Sequence, residues 1–167
     1  MKLLERLWTR RASRRRLDEE QGQAIIEMAL VMPFLLIAVT GILSLGLMLN
    51  EDIQLNNAVS AGALYLADQR GNSTDPCADA ATVIENAAPY LKASNMAFSI
   101  QINGNTANYF SAGTTPTCTS GAAQLNAAQY DSIVVKASYP CVVFVYGNSN
   151  IMGSGCTMTA QMEAVVQ

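Results

Sequence analysis

Residues 22–50 read GQAIIEMALVMPFLLIAVTGILSLGLMLN, an apolar run with a glutamate at its mouth, and the rest of the fold depends on it. After Glu27, the 23 residues 28–50 contain no Asp, Glu, Lys or Arg. As a helix rising ~1.5 Å per residue, the run would be about 34 Å long, enough to cross a hydrocarbon core of roughly 30 Å. A buried core helix is the plain alternative, but uniform apolarity over this length is a membrane signal. A cleaved secretion signal has a shorter apolar region followed by a small-x-small site. Here Asn50-Glu51-Asp52 stands where small residues would be needed, so the segment is expected to be retained.

Charge gives the expected orientation. Seven of the ten basic residues lie in the first 16 positions (Lys2, Arg6, Arg10, Arg11, Arg14, Arg15 and Arg16). Arginines before the run and few after it place the N-terminus in the cytoplasm and the C-terminus outside. From Gln23 onward three basic side chains face nine acidic ones, formally −6. Such a body is not expected to bind nucleic acid, which needs Lys and Arg to displace phosphate counterions. The chain has no histidine. This excludes Ser-His-Asp and Cys-His catalysis and removes the commonest zinc ligand.

Beyond the run, Leu55, Ala58, Val59, Gly62 and Leu66 recur at helical spacing. One long helix is therefore expected from about 23 to 70, with Pro33 inside its membrane part and a stop at Arg70-Gly71-Asn72. Asp75-Pro76 is an N-cap and first-turn pair opening a short helix with Ala80, Ile84, Ala87 and Leu91 on one face. Pro89 should break it near its end. Residues 98–102 alternate as a half-buried strand, and Asn103-Gly104 signals a hairpin returning over 106–110. Residues 111–128 read as a loop. Residues 131–139 alternate again, 142–146 (VVFVY) are expected to continue that strand, and 157–166 form a terminal strand.

The fold class expected is α+β: a long transmembrane and stalk helix, then a small disulfide-stapled head with a mainly antiparallel sheet. The division is a cytoplasmic basic leader (1–22), a transmembrane and stalk helix (23–70, span about 28–50) and an extracytoplasmic head (71–167). Cys77, Cys118, Cys141 and Cys156 all fall on the outward side, where an even number reads as disulfides. Four cysteines allow three pairings. Cys141 and Cys156 flank the loop joining the last two strand stretches, which favours pairing them and leaves Cys77 with Cys118. With no CxxC spacing and no histidine, a metal or redox-active site is disfavoured. No cofactor is expected.

Gly22-Gln23-Ala24-Ile25-Ile26-Glu27-Met28, after a basic leader and at the mouth of an apolar helix, resembles a type IV prepilin processing site. The whole of GQAIIEMALVMPFLLIAVTGIL, with Glu27 and Pro33 at fixed offsets from Gly22, is similar to the TadE-like (TadE/TadG) pseudopilins of the tight-adherence pilus system. The likeness covers residues 22 to about 46. Met28 departs from the aromatic residue that major pilins of this system carry there. The resemblance implies cleavage by prepilin peptidase between Gly22 and Gln23, with Glu27 then fifth and paired to the freed amine of a neighbouring subunit. It also implies a bacterial inner-membrane protein with a periplasmic head that can be assembled into an extracellular pilus. Its partners would be other pilin subunits, the peptidase and the inner-membrane assembly platform. Major pilins of such systems are little more than the helix, so a chain with a head is expected to be a minor pilin or pseudopilin serving pilus biogenesis and adhesion.

The bland readings are specific. Glu27 can serve simply as an acid near a helix N-terminus, favoured by the dipole. Thr40-x-x-x-Ser44 is a small-xxx-small pattern able to pack helices. Asp75, Asp79 and Asp131 could contribute to a calcium site but lie in no loop motif. The rivals to the pilin reading are an unprocessed, single-pass membrane-anchored periplasmic scaffold or binding module, and an anchored hydrolase. No phosphate loop, nucleophile elbow or paired carboxylates support the latter, so no enzyme is expected.

Overall fold

The computed structural model describes residues 2–105, 108–118, 120–145, 148–149 and 155–167, with only the backbone described at 2–21 and 148–149. Helix α1 runs over Lys2–Asp68 with Pro33 inside it. The sequence places its start near Gln23, but helix continues back through the leader. Apart from Gly22, no glycine or proline interrupts residues 2–32, so nothing there stops propagation. At the other end, Gly71 adopts φ +80 in the turn that closes the helix, as Arg70-Gly71-Asn72 implies.

Helix α2 (Pro76–Ala87) is capped by Asp75, whose Oδ1 accepts from the Ala78 amide at 3.2 Å, with proline in its first turn. A 3-10 turn (Ala93–Asn95) leads into strand β1 (Ala97–Ile102), which returns as β2 (Asn108–Phe110). Between them Asn103 and Gly104 both take positive φ (53 and 63), the backbone that selects Asn-Gly in a tight hairpin. Thr106 and Ala107, expected in the return strand, lie outside the described residues. Helix α3 (Gly121–Ala127) then precedes β3 (Ser132–Pro140), β4 (Phe144–Val145), β5 (Asn148–Ser149) and β6 (Thr157–Val165).

Four strands form one antiparallel sheet in the order β2-β1-β3-β6. Alternation does what the sequence pattern implies. Phe98, Ile100 and Ile102 of β1, Ile133, Val135 and Ala137 of β3, and Met158, Ala160 and Ala164 of β6 are buried on one face. Lys136, directly between Ser99 and Gln161, stands on the other.

Helix α1 crosses the buried face, packing on β3, β6 and α2. Leu55, Ala58, Val59, Ala63, Leu66 and Ala67 belong to the main core. The C-terminal half of α1 is therefore not a free stalk; it is the central helix of the head. Gly62 permits the close crossing with α2, since a Cβ there would come within 2.5 Å of Ile84 Cγ1. The C-terminus closes the unit, with the Gln167 amide donating to the Ala67 carbonyl at 3.2 Å.

Two strand and loop expectations need correction. Residues 111–128 are not all loop, because α3 occupies part of them. Only seven residues long, with Leu125 its large buried side chain, it shows too little periodicity to be read. Residues 142–146 do not extend β3 along the sheet. In the main sheet β3 ends at Pro140, and Phe144–Val145, which pack against α1, pair with Asn148–Ser149 in a separate two-stranded sheet. Tyr146 of that stretch lies outside the described residues.

Candidate functional site

Two regions carry the residues singled out by sequence: the inner half of α1 and the disulfides of the head. In α1, Gly22, Gln23, Glu27 and Pro33 are all exposed. They do not gather into a pocket, since consecutive helical positions place them along a rod. Nothing lies within 4 Å of where a Cβ on Gly22 would stand. Gln23 Nε2 donates to Glu27 Oε1 at 3.1 Å, an i,i+4 pair on the helix surface. That neutral amide satisfies one lone pair of a carboxylate that has room for a cation, and hydrogen bonds to charged partners are about twice as strong as neutral ones.

Around Glu27 and as far as residue 39 the helix is uncovered on every side, and beyond that most of its apolar side chains remain exposed. Ile25, Leu30, Phe34, Ile42 and Leu47 are each between 66% and 72% exposed, although they point in different directions round the helix. An isolated helix of this kind in water would be untenable, and it is long and apolar enough to cross a membrane. It anchors the chain in one.

The buried stripe of α1 does not stop where the polar half begins. Ser44, inside the apolar run, is only 6% exposed, and Met48 packs partly against the core. Ser44 Oγ accepts from the Phe144 amide at 2.6 Å. Thr40 Oγ1 donates to the Leu36 carbonyl of its own helix at 2.7 Å. The small-xxx-small pair thus has one member turned to this chain's own head. Sequence reasoning missed this role for Ser44, and no local signal announces it.

In the head, Cys77 is joined to Cys118 and Cys141 to Cys156, with Cα atoms 5.6 and 5.4 Å apart. Asp75 sits beside the first bridge. Its Oδ1 also accepts from the Cys118 amide at 3.0 Å, so one carboxylate caps α2 and holds the segment before α3. Asp75, Cys77 and Cys118 lie close enough to suggest metal ligands. Both sulfurs are spent in the disulfide, and a disulfide sulfur is not the thiolate a metal takes. Asp79 accepts from Ser73 Oγ at 2.6 Å, and Asp131 accepts from the Ser132 amide at 3.2 Å, so each acid has a local structural task.

One long apolar helix carrying a disulfide-closed α+β head defines the class among the described residues: a helix-anchored protein with a small α+β head. The family described as TadE-like protein matches residues 22–64, beginning at Gly22 and running into the head core. Over that segment, about a quarter of the chain, the sequence is similar to the TadE-like family. Neither a curated protein nor a solved structure gives a significant match to the chain.

Proposed function

We propose that this chain is a head-bearing minor pilin or pseudopilin of a Tad pilus, cut by prepilin peptidase after Gly22 and packed through α1. The observation that carries the reading is the placement of Gly22, Glu27 and Pro33 at fixed offsets on an uncovered apolar helix, within the segment that matches the TadE-like family. The leader enters the cytoplasm and the head faces the periplasm of the inner membrane, because the arginines stay on the cytoplasmic side. Glycine suits the scissile bond. Helix α1 passes through residue 22, so the peptide must unwind there to enter a peptidase, and glycine is about 1 kcal/mol less helix-favouring than alanine.

Cleavage would free the α-amine of Gln23 and remove the arginine-rich leader. The amine is the cation that the Glu27 carboxylate lacks, and supplied by a neighbouring subunit it would set the axial register of packed helices. A carboxylate near the bilayer edge is costly unless paired, which gives the pairing its driving force. The assembly platform and other pilins are the partners in this scheme, and adhesion is its outcome.

Intact mass of protein extracted from native membranes tests the reading. Loss of residues 1–22 in the wild type, and retention of them in Gly22→Val with loss of assembled pili, is the expected result. A wild-type chain still beginning at Met1 in piliated cells would sink the processing scheme and leave an unprocessed anchored scaffold.

A further inference from the structure

The hairpin based on Cys141–Cys156 stands apart from the rest of the head. It leaves the main sheet after Pro140, is closed at its base by the disulfide and by the Cys141 amide donating to the Cys156 carbonyl at 3.2 Å, and lies along α1. Its first arm is CVVFV, residues 141–145. Val142 and Phe144 are 40% and 58% exposed, whereas Val143 between them is buried but does not belong to the main core. No Asp, Glu, Lys or Arg occurs anywhere from Ala137 to Met162.

The level of this arm along α1 is marked by the bond from the Phe144 amide to Ser44 Oγ. Ser44 is six residues inside the outer end of the charge-free run, about 9 Å at ~1.5 Å per residue. We propose that the 141–145 arm enters the outer leaflet of the bilayer beside its own anchor helix, with Val142 and Phe144 among the acyl chains. The head then meets the membrane at two points instead of hanging from one helix. This rests on α1 spanning the membrane.

Three observations support this placement. Exposed apolar side chains beside one another can mark an interaction surface, and Val142 and Phe144 are exposed on an arm whose strand β4 packs against α1. Backbone polar groups at membrane depth need internal partners, and the Phe144 amide finds one in a helix hydroxyl, while residues 144–145 pair with 148–149. Charged groups would bar the arm from the acyl region, and the sequence has none there. A second copy of the chain is the competing occupant. Nothing in the arm is charge-coded for a protein partner, whereas lipid surrounds α1 at that level as long as the chain is anchored singly in the membrane.

The test is tryptophan quenching in the full chain, reconstituted into phosphatidylethanolamine–phosphatidylglycerol vesicles containing acyl-chain-brominated lipid. The single native tryptophan is removed by Trp8→Phe. On that background Phe144→Trp and, independently, Val142→Trp report on the arm, Ile42→Trp on the anchor, and Tyr109→Trp on the distant sheet edge. Disulfide formation checks folding of each variant. The expected result is that the arm and anchor reporters lose most of their emission while the Tyr109→Trp reporter keeps it. Quenching at Ile42→Trp but at neither arm position overturns the proposal and leaves the membrane anchor standing. Absence of quenching at all positions overturns both. An arm reporter with blue-shifted but unquenched emission also overturns it, in favour of a contact with a second copy.

Discussion

The Phe144 amide and the Ser44 hydroxyl meet at 2.6 Å although a hundred residues of chain separate them. This bond ties the last hairpin to the apolar half of α1. This bond is part-buried, so removing its acceptor leaves the amide partly unsatisfied, at a cost below the roughly 1–3 kcal/mol of a fully buried group. Ser44→Ala should therefore speed hydrogen exchange at the Phe144 amide strongly while leaving the β3 amides, such as that of Val135, unchanged. Equal protection of Phe144 in the two proteins would show that the bond contributes nothing.

The α1–α2 crossing depends on a missing side chain. A Cβ on Gly62 would stand 2.5 Å from Ile84 Cγ1 and 2.9 Å from Ile84 Cδ1, and Ile84 is fully buried. Overpacking of this kind typically costs about 1–3 kcal/mol. Gly62→Leu is expected to lower the melting temperature of the head, and Ile84→Ala in the same chain to restore part of the loss. If the two changes simply added, the close approach would not be the cause.

The two bridges should differ in weight. On the loop-entropy account, a disulfide closing about 15 residues stabilises by about 3 kcal/mol and one closing about 40 by about 4 kcal/mol. Cys77–Cys118 spans 41 positions and Cys141–Cys156 spans 15. Replacing the first pair by serine should thus lower denaturant resistance of the head more than replacing the second. The second replacement should act mainly on the hairpin, visible as faster proteolysis within 141–156.

Glu51 stands just beyond the charge-free run, and partial burial raises its carboxyl above the ordinary value. The sign follows from linkage: burial penalises the charged form, so the native state favours the protonated one. Stability associated with this group is fully present below the ordinary carboxylate pKa and is lost as pH rises through the raised native value. Glu51→Gln should raise the melting temperature at neutral pH and make no difference in acid. A variant that melts below wild type at neutral pH would contradict the burial penalty.

Periodic and compositional features were readable from the chain alone because each is decided within a few neighbouring residues. The charge-free length of residues 28–50, the arginine asymmetry, the Asp75-Pro76 cap, the Asn103-Gly104 turn and the alternation in β1, β3 and β6 are of this kind. So is the spacing of Gly22, Glu27 and Pro33, which sits on one continuous helix whatever the head does. Tertiary structure alone decided that the C-terminal half of α1 is the head's central helix, that α3 forms around the buried Leu125, and that residues 144–145 leave the main sheet to lie on the anchor. Each of these depends on a surface supplied by a distant part of the chain. A valine-rich arm is compatible with any sheet edge. It lies against α1 because a disulfide holds its base and Ser44 offers an acceptor for its backbone.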